Sequence, residues 1–249
     1  MENQQRIGFL VSKCLLFLCV LSLCLSSCTL PFGNQNTTST STHLVMQQPP
    51  ASRLTYTAIG ASDTFGIGTD DPQSESWPAD LAGRLGNGVH LVNLGVPSID
   101  ARDALNVEVP VAIDSHPNII TIWLAVNDIA DNIPVASYEH DLDLVLTRLQ
   151  AGAPHAIIVV ANVPDLTYLP HFQSYDVNAL HALIASYNNA IANVVASHHV
   201  LLVDLISRWQ QLATHPEYIS DDGFHPNALG YTVLAGLFYQ VLQEHGDVT

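Results

Sequence analysis

An α/β protein, with a central parallel sheet covered on both faces as a three-layer α/β/α sandwich, is predicted by three features of the sequence. Five apolar runs, at residues 54–59, 89–94, 119–124, 156–160 and 200–203, are short and nearly continuous in hydrophobicity. A strand with one wet face alternates apolar and polar residues, whereas a strand buried on both faces does not. Between the runs, apolar residues recur at helical spacing, which provides the crossovers that parallel strands require and the layers that cover them. No internal repeat interrupts this succession, and about 197 residues of domain are enough to bury a core without staples.

The chain opens differently. Residues 1–27 carry Arg6 and Lys13, then an apolar run over 14–25, then small residues. This is the pattern of an export signal, and the run falls short of the roughly 20 residues that span a bilayer, so a removed signal peptide is expected rather than a permanent helix. Leu25-Ser26-Ser27-Cys28 resembles the lipobox of bacterial lipoproteins, which implies cleavage before Cys28 and lipidation of that cysteine. The alternative is a plain secretory signal cut near Ser26 or Ser27. Residues 28–52 are rich in Asn, Gln, Ser, Thr and Pro with few large apolar side chains, and read as a flexible tether behind the anchor. The domain then spans 53–249. The expected location is outside the cell membrane, anchored there or secreted.

Cysteine and charge narrow the function. All four cysteines, Cys14, Cys19, Cys24 and Cys28, lie in or at the end of the signal, so the mature domain has neither an intramolecular disulfide nor a thiolate metal site. The formal net charge is −16, and beyond the tether the only cations besides histidine are Arg53, Arg84, Arg102, Arg148 and Arg208. Phosphate backbones and anionic lipid head groups would repel such a surface, which excludes nucleic acid as a partner and leaves a lipid anchor as the route to a membrane.

The elements follow in order. The first run stops at Gly60-Ala61-Ser62-Asp63, which delivers Ser62, the candidate nucleophile, onto a turn. The second ends in Asn93-Leu94-Gly95-Val96-Pro97-Ser98 and the third in Ala125-Val126-Asn127-Asp128. Tyr138, Leu142, Val145 and Leu149 mark one helix. Leu180, Ile184, Tyr187, Ile191 and Val195 mark another, with Asp176 as its cap, and a last helix is expected over 226–243 with Pro226 in its first turn. In such sheets ligands bind outside the carboxyl ends of the strands, where strand order reverses. Singly, Gly95 reads as a tight turn and Asn127-Asp128 as a helix cap. Together the three loops offer what acyl transfer needs: a nucleophile and donors for a developing oxyanion. A base remains to be found, and Asp222-Gly223-Phe224-His225 can supply it, because a three-residue offset across a glycine turn sets a carboxylate against one imidazole nitrogen. His116, His155, His198, His199 and His215, by contrast, read as solvated or turn residues.

Ser62, Gly95, Asn127 and Asp222-x-x-His225, in this order, resemble the SGNH, or GDSL-type, hydrolase family over residues 55–242. The resemblance implies a flavodoxin-like sheet of order 2-1-3-4-5. It implies Ser62 as nucleophile, His225 as base and Asp222 as its orienting acid, with an oxyanion hole from the amides of Ser62 and Gly95 and the side chain of Asn127. The implied activity is hydrolysis of a carboxylic ester, on a small-molecule, glycan or lipid substrate, through an acyl-enzyme, with no metal or organic cofactor. Two positions depart from the family: its Gly-Asp-Ser is Gly60-Ala61-Ser62 here, and its Gly-x-Asn-Asp is Ala125-Val126-Asn127-Asp128. An α/β-hydrolase would instead place its serine in Gly-x-Ser-x-Gly, and residue 64 is threonine. A tethered ligand-binding lipoprotein with a dead site is the non-enzymatic alternative. The loops at 70–77 and 168–177 are expected to shape the pocket, with Tyr168, Phe172 and Tyr175 along an apolar wall.

Overall fold

The computed structural model describes residues 54–210, 214–246 and 248, so the expected signal, Cys28 and tether lie outside the described residues. The five apolar runs form the strands β1 (Leu54–Gly60), β2 (Val89–Asn93), β3 (Ile119–Trp123), β4 (Ile157–Ala161) and β5 (Leu201–Val203). They make one sheet of order β2-β1-β3-β4-β5, and every neighbouring pair is parallel. Every residue of β3, at the centre, is buried, as expected for a run without alternation.

The chain moves from β1 outward to β2, returns past β1 to β3, and then steps to β4 and β5. With right-handed crossovers this reversal puts helices on both faces. Helix α1 (Ser62–Phe65) is a single turn, and α2 (Pro72–Glu75) is another, capped by Asp71, inside the expected loop at 70–77. Helices α3 (Trp77–Leu85) and α9 (Ala228–Glu244) pack together on one face, where Trp77 stacks on Phe238 with ring centroids 4.4 Å apart. On the other face lie α4 (Ala101–Asp114), α6 (Val135–Gly152) and α7 (Val177–His198), the last two joined by Tyr138 against Tyr187 at 5.1 Å. Asp176 caps α7 as expected, accepting the Ala179 N–H at 2.8 Å. Short helices α5 (Val126–Ala130) and α8 (Leu205–Arg208) follow β3 and β5.

Two expectations are corrected. The final helix begins at Ala228, because Asn227 is its N-cap and accepts from the N–H groups of Leu229 and Gly230. Asparagine is among the best N-cap residues, and Pro226 instead bridges to Ile219 outside the helix. His198 is not a solvated residue: its Nε2 lies 2.8 Å from Asp143 Oδ1 and its Nδ1 2.8 Å from Gln150 Oε1.

Candidate active site

The first strand and its turn set the nucleophile. Ser62 is the first residue of α1, 8% exposed, with its hydroxyl 2.9 Å from His225 Nε2. Asp222 Oδ2 sits 2.6 Å from His225 Nδ1. A carboxylate only accepts, so Nδ1 carries a hydrogen and donates to Asp222, which leaves the Nε2 of a neutral ring to accept from the serine hydroxyl. Ser62, His225 and Asp222 are thereby linked in one hydrogen-bonded chain.

The tail holds that chain in place through local geometry. Asp222 Oδ1 accepts from Ser220 Oγ, the Phe224 N–H and the His225 N–H at 2.8 to 2.9 Å. Burial raises the Asp222 carboxyl, but the hydrogen bonds from His225, Phe224 and Ser220 outweigh it and hold the group well below the usual carboxylate range. The loop after α1 approaches so closely that a Cβ at Gly68 would lie 2.3 Å from Pro226 O. Only glycine, at a φ of 100°, fits there.

The loops after β2 and β3 divide differently from expectation. Gly95 donates its N–H to Asn93 Oδ1 at 3.0 Å, while Asn93 Nδ2 donates to Thr64 O at 2.7 Å. A Cβ on Gly95 would be 2.3 Å from Phe65 N, so Gly95 is pressed against the backbone of α1. Three residues on, Ser98 is exposed and held at a φ of 67°, and its N–H makes no hydrogen bond among the described residues. Asn127 lies in the first turn of α5 and caps nothing with its side chain. Its Nδ2 donates one hydrogen to Ile99 O at 2.8 Å, beside Ser98, and retains a second. Asp128 is buried, with both carboxylate oxygens 3.3 to 3.4 Å from the Ala101 N–H at the start of α4. Burial pushes its acid up to about 6.

Beside this cluster is a narrow, mostly apolar cavity. Its walls include Asp63, next to Ser62; Val126, next to Asn127; and Phe224, next to His225, together with Trp123, Leu166 and Leu169. Burial pushes the Asp63 carboxyl up to about 6, against the pull of His225. Of the expected aromatic wall, Phe172 is 2% exposed and packs behind Phe224 at 5.8 Å, while Tyr168 and Tyr175 are about half exposed. The cavity wall from this loop is therefore leucine, not aromatic.

Among solved structures, the fold is similar to that of the psychrotrophic esterase EstA from Pseudoalteromonas sp. at 16% identity, covering 78% of this chain and 99% of that one with a TM-score of 0.62. It is similar also to the lipase/acylhydrolase from Enterococcus faecalis (18% identity, 77% and 96% coverage, TM-score 0.60). A member of the lipolytic protein G-D-S-L family from Veillonella parvula matches at 15% identity, with 76% and 98% coverage and a TM-score of 0.60. No curated protein matches the sequence significantly. Residues 58–233, which run from β1 into α9 and contain every residue of the hydrogen-bonded chain, match the GDSL-like lipase/acylhydrolase family, and the protein belongs to that family.

Proposed function

We propose that this domain is a serine esterase that cleaves carboxylic esters through an acyl-enzyme. The observation that carries this reading is the chain Ser62–His225–Asp222, with contacts of 2.9 and 2.6 Å. Ser62 Oγ attacks the acyl carbonyl as its proton passes to His225 Nε2. The ionised Asp222 fixes the ring and stabilises the imidazolium that forms. The carbonyl oxygen becomes an oxyanion, and the groups free to receive it are the Ser62 N–H, the Asn127 amide and the Ser98 N–H. Gly95 keeps its N–H on Asn93 and shapes the turn. His225 then returns the proton to the departing alcohol, and water repeats the sequence in reverse to release the acid. Every bond change balances with these groups and water.

The first experiment is labelling with a fluorophosphonate, which reacts with an activated serine and leaves a helix-terminal serine untouched. Wild-type protein labels and hydrolyses nitrophenyl esters, while Ser62→Ala does neither and remains folded. A variant that still labels or turns over excludes Ser62 as nucleophile. We further propose that the enzyme is exported and held by a lipidated Cys28. Mass spectrometry of the mature protein checks this: an unmodified chain beginning elsewhere removes the anchor and leaves the esterase reading standing.

A further inference from the structure

Helix α4 turns Ala101, Ala104, Leu105, Glu108, Val109 and Ala112 inward, and Glu108 alone among them is ionisable. Glu108 is 1% exposed. Its Oε1 accepts the Gly60 N–H at 3.2 Å, and its Oε2 is buried with no partner. A buried carboxyl with one hydrogen bond costs free energy that a leucine in its place would not. Burial pushes the acid up to about 8, so the group is mostly uncharged at neutral pH.

The peptide it grips is a junction. Gly60 ends β1, two residues before Ser62. Its carbonyl accepts the Val96 N–H at 3.0 Å, two residues before Ser98. A Cβ on Gly60 would lie 2.1 Å from Thr64 Oγ1 and 2.5 Å from Trp123 O, so Gly60 is also wedged between α1 and the end of β3 that leads to Asn127. The three arms of the site, carrying Ser62, Ser98 and Asn127, meet at this one residue. The residue after it, Ala61, stands where the family motif has its acid. In this chain a carboxyl from α4 reaches the start of the turn, through the Gly60 N–H, in addition to that of Asp63 within it.

We propose that Glu108 is a positioning residue for the reaction: through its hydrogen bond to Gly60 it fixes the spacing between the nucleophile and the oxyanion donors without touching substrate. The inference rests on the esterase reading. Its energetic basis is that sub-ångström errors in that spacing act on the transition state, where the oxyanion is formed, more than on substrate binding.

The test compares wild type, Glu108→Leu and Glu108→Gln in steady-state hydrolysis, rate of fluorophosphonate labelling and thermal unfolding. Glu108→Leu removes the acceptor. It is expected to lower kcat and the labelling rate on the order of 10- to 100-fold, with KM within about twofold, at a temperature where it is fully folded. Glu108→Gln keeps the Oε1 acceptor in the same volume and should restore both rates to within a few-fold of wild type. Should Glu108→Leu not fold, Glu108→Met is read in the same way. A folded apolar variant with wild-type kcat, or a glutamine variant as impaired as the leucine one, overturns the proposal. Wild-type protein that neither labels nor turns over overturns the esterase reading, and this inference with it.

Discussion

Asn127 holds one amide hydrogen on Ile99 O at 2.8 Å and keeps the other free, which makes it a pre-oriented donor rather than a floppy one. Its removal should therefore appear in the chemical step. Asn127→Ala is expected to lower kcat on the order of 10²- to 10³-fold with little change in KM, the magnitude of losing one oxyanion donor. A variant with normal turnover per folded molecule would leave Asn127 a purely structural residue. The residues that were legible in the sequence were those whose partners lie close in the chain or at strand ends: Asp222 and His225 are three apart, and Ser62 and Asn127 each follow an apolar run. The ones that were not legible depend on distant contacts. Gly95 reads in sequence as the amide donor of its loop; its N–H lies 3.0 Å from Asn93 Oδ1, while the Ser98 N–H makes no hydrogen bond among the described residues, at a φ of 67° that no local pattern announces. Glu108 reaches across 48 residues to Gly60, a contact that no local pattern around either residue announces.

At the scale of elements, the strands were read to within one residue or so because a parallel strand buried on both faces writes its boundaries in hydrophobicity alone. Helices α6 and α7 were equally plain, since Tyr138, Leu142, Val145 and Leu149 in the one and Leu180, Ile184, Tyr187, Ile191 and Val195 in the other recur at helical spacing. Helices α3 and α4 were not anticipated. Helix α4 carries Pro110 in its interior and a buried glutamate, both of which break the helical pattern, and α3 places Pro78 and Trp77 in its first turn directly after another short helix. Helix α5 shows a different conflict. Ala125 occupies its N-cap position at φ 92° and ψ −28°, a region open to glycine and strained for a residue with a Cβ. The side chain is 1% exposed, so there is little room to relax. Ala125→Gly should relieve the strain and stabilise the domain by about 1 kcal/mol despite the entropy gained by the unfolded chain. A urea midpoint that fails to rise, at unchanged m-value, would show that the surrounding contacts already accommodate the alanine.

Over the whole molecule, burial and charge combine to set where the protein is most stable. Three carboxyls are raised by desolvation in the folded state, Glu108 from 4.5 to about 8 and Asp63 and Asp128 each from 3.8 to about 6. A group raised on folding binds its proton more tightly in the native state, so its contribution is fully present below the unfolded value and is lost as pH rises through the folded one. Asp222 is shifted the other way, and its contribution is present above the ordinary carboxylate value and lost on acidification. The two opposing sets leave a maximum near pH 4 to 5, and the formal charge of −16 adds self-repulsion on the alkaline side as the remaining acids ionise. The thermal midpoint of wild type should therefore fall between pH 5 and pH 8.5, with Glu108 responsible for the part above pH 6. Replacing the acid by its amide removes that part. Glu108→Gln should lose much less stability than wild type between pH 6 and 8.5, and at pH 8.5 should be the more stable of the two by on the order of a few kcal/mol. Differential scanning calorimetry across this range decides the matter: a wild-type midpoint that is flat or rises toward pH 8.5, or a glutamine variant that keeps the wild-type slope, would mean that Glu108 reaches water or a cation in solution and is not held protonated by the core.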